Sequence, residues 1–167
     1  KKKDKNFVWS VQREHKLNDV IDLWKNQISK NDKKAKLHIF GTKKRNPKEY
    51  KDFNIFFHGR VSRQSLIHYY KKSSAMICLG YDETFCLNAL EANACGLPVI
   101  TLGKTVLRDY VINNFNGYIV NNFSDIALKI KYLIKLKSRK KIIQNSISTS
   151  KKYYLDTIIH DWLKLLK

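Results

Sequence analysis

The stretch Asp82–Ile100, DETFCLNALEANACGLPVI, constrains this chain more than any other. It follows a short apolar run, Ala75–Leu79, whose length and polar borders predict a buried strand. Leu87, Leu90 and Ala94 fall at helical spacing, which predicts a helix over Phe85–Cys95 with these three on its buried face. Gly96 is placed to stop that helix, and Pro98 fixes the turn into a further strand, Val99–Thr101. The expected unit is strand, acidic turn, helix, glycine stop, strand.

Glu83 stands in the turn of this unit and Glu91 on its helix, one residue past Leu90. A carboxylate close to a buried face is costly unless it is paired. One reading of Glu91 is a salt bridge to one of the many lysines. The other is a ligand: two acids around a helix start after a strand suit the vicinal hydroxyls of a sugar or ribose. The free N–H groups at the helix start suit phosphate.

The segment E-T-F-C-L-N-A-L-E-A-N-A-C-G-L-P-V-I, from Glu83 to Ile100, resembles the E-x7-E signature of retaining GT-B glycosyltransferases of the family 4 type. The usual form of that signature is E-G-F-G-L-x-x-L-E-A-M-A-C-G-x-P-V-I. The likeness extends more weakly from about Phe7 to Leu133.

The rest of the chain alternates strands and helices. Strands are expected at Phe7–Val11, Leu37–Phe40, Ile55–Phe57 (ending at His58 and Gly59) and Tyr118–Val120. A helix is expected over Leu17–Ser29, with Val20, Ile21, Leu23, Trp24 and Ile28 inward. Another follows a Ser62 cap to about Lys72, with Leu66, Ile67 and Tyr70 on one face. Later helices are expected over Leu107–Ile112, over Asp125 to Lys137 behind a Ser124 cap, over Arg139–Ser146 and over Tyr154–Leu166. Thr42–Phe53 reads as a polar loop or short helix around Pro47. The fold class is therefore α/β, a Rossmann-like parallel sheet with helices on both faces and ligands at the carboxyl ends of the strands. The resemblance makes residues 1–167 a single donor-binding domain, the C-terminal half of a GT-B fold, without the family's N-terminal acceptor domain.

The resemblance also implies roles. Glu83 is the acid that contacts the transferred sugar, and Glu91 binds the ribose hydroxyls of the nucleotide. Thr84, Phe85, Cys86 and Leu87 form the turn whose backbone meets the sugar and diphosphate; the family usually has glycine where Cys86 stands. Arg60 and Val61 lie against the base, Gly41 ends the second strand beside the donor, and Gly103 matches the loop before the final glycine. Asp109 matches an acid before the final glycine, Gly117. Arg13 and Lys16 stand for the two cations that clamp the diphosphate, although the family's arginine position is occupied here by Val11. Such enzymes transfer a sugar from a nucleoside-diphosphate donor without a bound metal, and no Asp-x-Asp occurs in the sequence. No cofactor is implied beyond the donor itself. The expected acceptor is a glycan or a lipid-linked group, and without an acceptor domain little turnover is expected of this chain alone.

Composition weighs against the other readings. With 33 Lys and Arg against 14 Asp and Glu, the net charge is +19. That charge invites nucleic acid, but the lysines are spread over the whole chain. The basic amphipathic run Lys129–Lys141 fits a solvated helix face first, an anionic membrane surface second and nucleic acid last. Three cysteines without zinc spacing, Cys78, Cys86 and Cys95, argue for reduced core thiols and a cytoplasmic setting, with peripheral membrane contact as an extension. His15, His38, His58, His68 and His160 are scattered, which favours structural or surface roles over catalysis. A silent nucleotide-binding module on the same fold is the alternative from another class, and the substituted Cys86 and basic pair are its argument.

Overall fold

In the computed structural model, described over residues 5–9, 16–79, 84–103 and 105–165, six parallel strands form one sheet. They are β1 (Asn6–Trp9), β2 (Lys36–Phe40), β3 (Ile55–Gly59), β4 (Ala75–Ile77), β5 (Val99–Leu102) and β6 (Gly117–Val120), in the order β3-β2-β1-β4-β5-β6. The strand order reverses between β1 and β4, the position where open α/β sheets bind their ligands. β1, β4 and β5 are buried along nearly their whole length, as strands covered on both faces must be.

The helices supply that cover. α1 (Leu17–Leu23) runs into a π turn, Trp24–Ile28, and α4 (Phe123–Lys135) packs against this turn. α2 (Arg63–Lys72) and α3 (Leu87–Ala94) are joined by an ion pair, and α5 (Lys140–Ser150) lies along α3. The expected inward residues Val20, Ile21, Leu23, Trp24 and Ile28 are all buried, and Trp24 donates its indole N–H to the Phe53 carbonyl at 3.0 Å. The Ser62 hydroxyl accepts from the Ser65 amide at 3.2 Å, as the cap reading requires. Thr42–Phe53 holds two short 3-10 turns, Pro47–Glu49 and Lys51–Phe53.

Gly96 ends α3 as expected. Its φ is +76°, its amide donates to the Asn93 carbonyl at 2.8 Å, and the Leu97 amide donates to the Ala92 carbonyl at 2.9 Å. A Cβ at Gly96 would also stand 2.8 Å from Ile143 Cγ2, so α5 can approach only a glycine there.

Several boundaries differ from the sequence reading. α3 starts at Leu87 rather than Phe85, because Cys86 adopts φ 55°, ψ 65° and cannot continue a right-handed helix. Its buried face is Ala89, Ala92 and Asn93, while Leu87 is 65% exposed. Close packing on α5 takes the small side chains and turns the leucine outward. α4 is capped by Asn122, whose Oδ1 accepts from the Asp125 amide at 3.0 Å, not by Ser124. The expected helix Leu107–Ile112 is a 3-10 turn, Val106–Asp109. β4 stops at Ile77, and α5 continues to Ser150. The last helix, α6, spans Leu155–Leu165, and Leu155, Ile158, Ile159, Trp162 and Leu163 leave an exposed apolar face on it. Among the described residues no helix is long and apolar enough to cross a membrane.

Candidate donor-binding site

At the carboxyl ends of β2 and β3 opens a cavity of about 520 Å³, lined by Phe40, Gly41, Gly59, Arg60, Val61, Leu66 and Asn88. That volume suits a small ligand. A register shift between Ile39 and Phe40 pairs Phe40 with Gly59, and the Gly41 amide donates to the Gly59 carbonyl at 2.9 Å. This irregularity re-aims the strand ends at the cavity. Gly59 has φ +69°, a conformation that β-carbon-bearing residues rarely adopt, so the glycine is what lets the chain turn from β3 into Arg60.

Behind the cavity stands a ring stack. Phe40 lies parallel to His58 at 4.5 Å, and Tyr69 leans on both rings and on His38. His38 Nδ1 and His58 Nε2 are 2.9 Å apart, so one ring donates and the other accepts. Burial, then the neighbouring His58 and Lys36, lowers the His38 pKa to about 4. Burial and Lys44 lower that of His58 as well. Both imidazoles are thus neutral at pH 7, and the pair is a structural wall that linear spacing does not reveal.

α3 contributes Asn88 to the cavity lining, and Glu91 follows one turn further along the same helix. Glu91 is half-buried, and its Oε1 accepts from Arg63 Nη2 at 3.2 Å. The partner is an arginine of α2 rather than a lysine. An exposed pair of this kind contributes little to stability.

The turn before α3 is built differently. Thr84 and Phe85 are exposed, Cys86 is buried in the left-handed region, and among the described residues no side-chain hydrogen bond caps the helix start. The Tyr110 hydroxyl braces it, lying 2.9 Å from both the Phe85 and the Cys86 carbonyl oxygens. Phe85, Tyr110 and Tyr153 pack edge-on or tilted against one another, with centroids 5.6–5.9 Å apart. Tyr110 and Tyr153 lie far along the chain from this turn, and the sequence carries no local signal for either role. Asn88 carries one, since it lies on the Glu91 face of α3.

The structure therefore brings Gly41, Arg60 and Val61 together around one cavity, places Glu91 on α3 one turn beyond the cavity residue Asn88, and sets Thr84, Phe85, Cys86 and Leu87 at the start of that helix. Gly103 lies apart at the end of β5, where its amide donates to the Val120 carbonyl at 3.0 Å. Lys16 is exposed, with φ 65° before α1, and its Nζ lies 3.1 Å from Asp19 Oδ2. Asp109 is exposed, and its carbonyl accepts from the Tyr153 hydroxyl. Glu83 and Arg13 fall outside the described residues, as does Val11.

Known proteins share this fold. The C-terminal domain of a glycosyl transferase group 1 family protein from Francisella tularensis superposes with a TM-score of 0.72 at 22% identity, covering 92% of this chain and 88% of that one. The pneumococcal O-GlcNAc transferase GtfA, solved with UDP and GlcNAc, superposes with a TM-score of 0.78 at 18% identity over 99% of this chain and 35% of its own. In sequence, a D-inositol 3-phosphate glycosyltransferase of Xylanimonas cellulosilytica is 32% identical over 73 residues, 44% of this chain and 18% of that protein. An uncharacterized glycosyltransferase of Methanocaldococcus jannaschii is 33% identical over 98 residues, 57% of this chain and 28% of that protein. The matches thus span less than a third of these curated relatives. The fold is that of GT-B C-terminal domains. The family described as glycosyl transferases group 1 matches residues 1–149, and the chain belongs to it.

Proposed function

We propose that this chain is the donor-binding domain of a retaining glycosyltransferase of the family 4 type, which moves a sugar from a nucleoside diphosphate to a glycan or lipid-linked acceptor. The observation that carries the reading is the cavity lined by Phe40, Gly41, Gly59, Arg60, Val61, Leu66 and Asn88, with Glu91 one helical turn beyond Asn88 and paired to Arg63. The base sits between the backbone of Gly59, Arg60 and Val61 and the apolar flank of Leu66. Glu91 accepts hydrogen bonds from the two ribose hydroxyls and is oriented for that by Arg63. The backbone of Thr84, Phe85, Cys86 and Leu87, at the N-terminus of α3, faces the diphosphate, where helix polarity favours negative charge.

Glu83 contacts the transferred sugar, and Arg13 and Lys16 neutralise the leaving diphosphate, so no metal is required for departure. Gly103 borders the donor from the β5 side. The acceptor is held by a second domain outside residues 1–167, and the reaction takes place on the cytoplasmic side, with α6 available for contact with that domain or with an anionic membrane. UDP, present in the pneumococcal enzyme's structure, is the first nucleotide to try.

Calorimetric titration with a panel of nucleoside diphosphates and sugar nucleotides, with and without EDTA, tests the reading. Saturable binding of one base series, unchanged by chelator, is expected. Binding that requires divalent metal, or a steep salt-dependent preference for polynucleotides, contradicts it. A second reading, a silent binding module, draws on the left-handed Cys86 at the family's glycine position. Sugar transfer once an acceptor domain is supplied excludes it.

A further inference from the structure

The donor reading assigns Cys86 a backbone role and gives Cys78 none, yet the two thiols meet. Cys78 directly follows β4 and is anchored in the sheet by its amide, which donates to the Ile100 carbonyl at 3.0 Å. Cys86 forms the left-handed cap of α3. Their Sγ atoms are 3.3 Å apart, and both residues are buried, with Cys86 keeping a 7% window to solvent. A disulfide needs the sulfurs at about 2.05 Å, so the pair is a little over 1 Å from bonding distance. Cys95 is the contrast: it lies at the other end of the same helix, and burial raises its thiol pKa, which lowers its reactivity.

We propose that Cys78 and Cys86 are a thiol modification site, closed to a disulfide by a peroxide and reopened by a small thiol. Cys86, the more accessible, attacks the peroxide; the O–O bond breaks, one water leaves and a sulfenic acid remains. Cys78 then attacks that sulfur, the S–S bond forms, and the second water leaves with the Cys78 proton. Two thiols lose two electrons and two protons, and one hydrogen peroxide becomes two waters. The bond ties the end of β4 to the cap that sets where α3 begins. Resting on the donor reading, this displaces the turn backbone by up to the distance the sulfurs must travel. Shifts near 1 Å in a binding constellation are costly, so the oxidised chain binds a nucleoside diphosphate at least tenfold more weakly.

The test uses the whole chain, treated with hydrogen peroxide, alkylated after denaturation and cleaved after glutamate without reduction. Cleavage at Glu83 and Glu91 separates the three cysteines. The expected product is the Cys78 peptide linked to the Cys86 peptide, with Cys95 alkylated, and dithiothreitol restores three alkylatable thiols. In Cys78→Ser the link is lost and Cys86 is trapped by dimedone, whereas Cys95→Ser links normally. Three alkylated cysteines after oxidation, or a link through Cys95, overturn the proposal. Calorimetry with UDP on the oxidised and reduced chain is a separate arm. Equal affinity with the disulfide mapped refutes the coupling. If no nucleoside diphosphate binds the reduced chain, the donor reading fails, and the peptide map still decides the disulfide.

Discussion

The two sides of the candidate site are held by different means. On the β2–β3 side the cavity is framed by sheet: a register shift, the Gly41 to Gly59 hydrogen bond and a stack of Phe40, His58, His38 and Tyr69. On the β4–α3 side the described turn is held by a cysteine in a left-handed conformation, the Tyr110 hydroxyl and the rings of Phe85, Tyr110 and Tyr153. The first side is fixed by many cooperating contacts and is suited to recognising a rigid base and ribose. On the proposed donor reading, single changes on the second side should reach the diphosphate before they reach the fold.

Glu91, proposed to read the ribose, should have the largest effect when lost. Two hydrogen bonds from ribose hydroxyls to a charged acceptor contribute about 3 kcal/mol, so Glu91→Ala should weaken nucleotide binding about a hundredfold by calorimetry. Stability should change by less than about 1 kcal/mol, since the ion pair with Arg63 is largely exposed.

The ring stack can be broken by acid. The folded-state pKa of His38 is lowered to about 4 from 6.5, so the unfolded chain binds the proton first. The stabilisation is therefore intact above about pH 6.5 and is lost as pH falls toward 4. By pH 5 the loss from His38 amounts to about 2 kcal/mol. Urea unfolding at pH 7 and pH 5 should show this loss, and His38→Gln should flatten it.

Tyr110→Phe removes the brace of the turn. A cost of about 1 kcal/mol in stability is expected, with about a tenfold weaker affinity for a diphosphate and a smaller change for the nucleoside alone. Equal losses for diphosphate and nucleoside would break the division between the two sides.

The smallest effect is a gain. Asn93 is fully buried in α3, and neither amide atom has a hydrogen-bond partner among the described residues. Asn93→Met should raise stability by about 1 kcal/mol in chemical unfolding, because it removes an unsatisfied buried amide at similar bulk.

How much of this was legible in the sequence follows from how local each feature is. The stop at Gly96 and the cap at Ser62 were readable because each is decided within five residues of chain. The alternation of strands and helices predicted the parallel sheet, and Gly41, Arg60 and Val61, picked out by their places after the second and third strands, line one cavity. Leu87 misled because hydrophobicity ranks leucine above alanine, whereas the approach of α5 selects Ala89, Ala92 and Gly96. Asn122 and Ser124 are both competent caps, and only the entry angle of the chain chooses between them. Tyr110, the His38–His58 pair and the contact of Cys78 with Cys86 are created by the sheet bringing distant segments together, and no spacing rule reaches them.

The most direct test of the central claim is a cycle between Glu91 and the ribose. Affinities of UDP and of its 2′,3′-dideoxy analogue would be measured on the unaltered chain and on Glu91→Ala. The account predicts that the unaltered chain prefers UDP at least tenfold, and that the variant binds both equally weakly. The same preference for UDP in both chains would mean that Glu91 does not read the ribose, and would contradict the assignment of this cavity to the nucleotide donor.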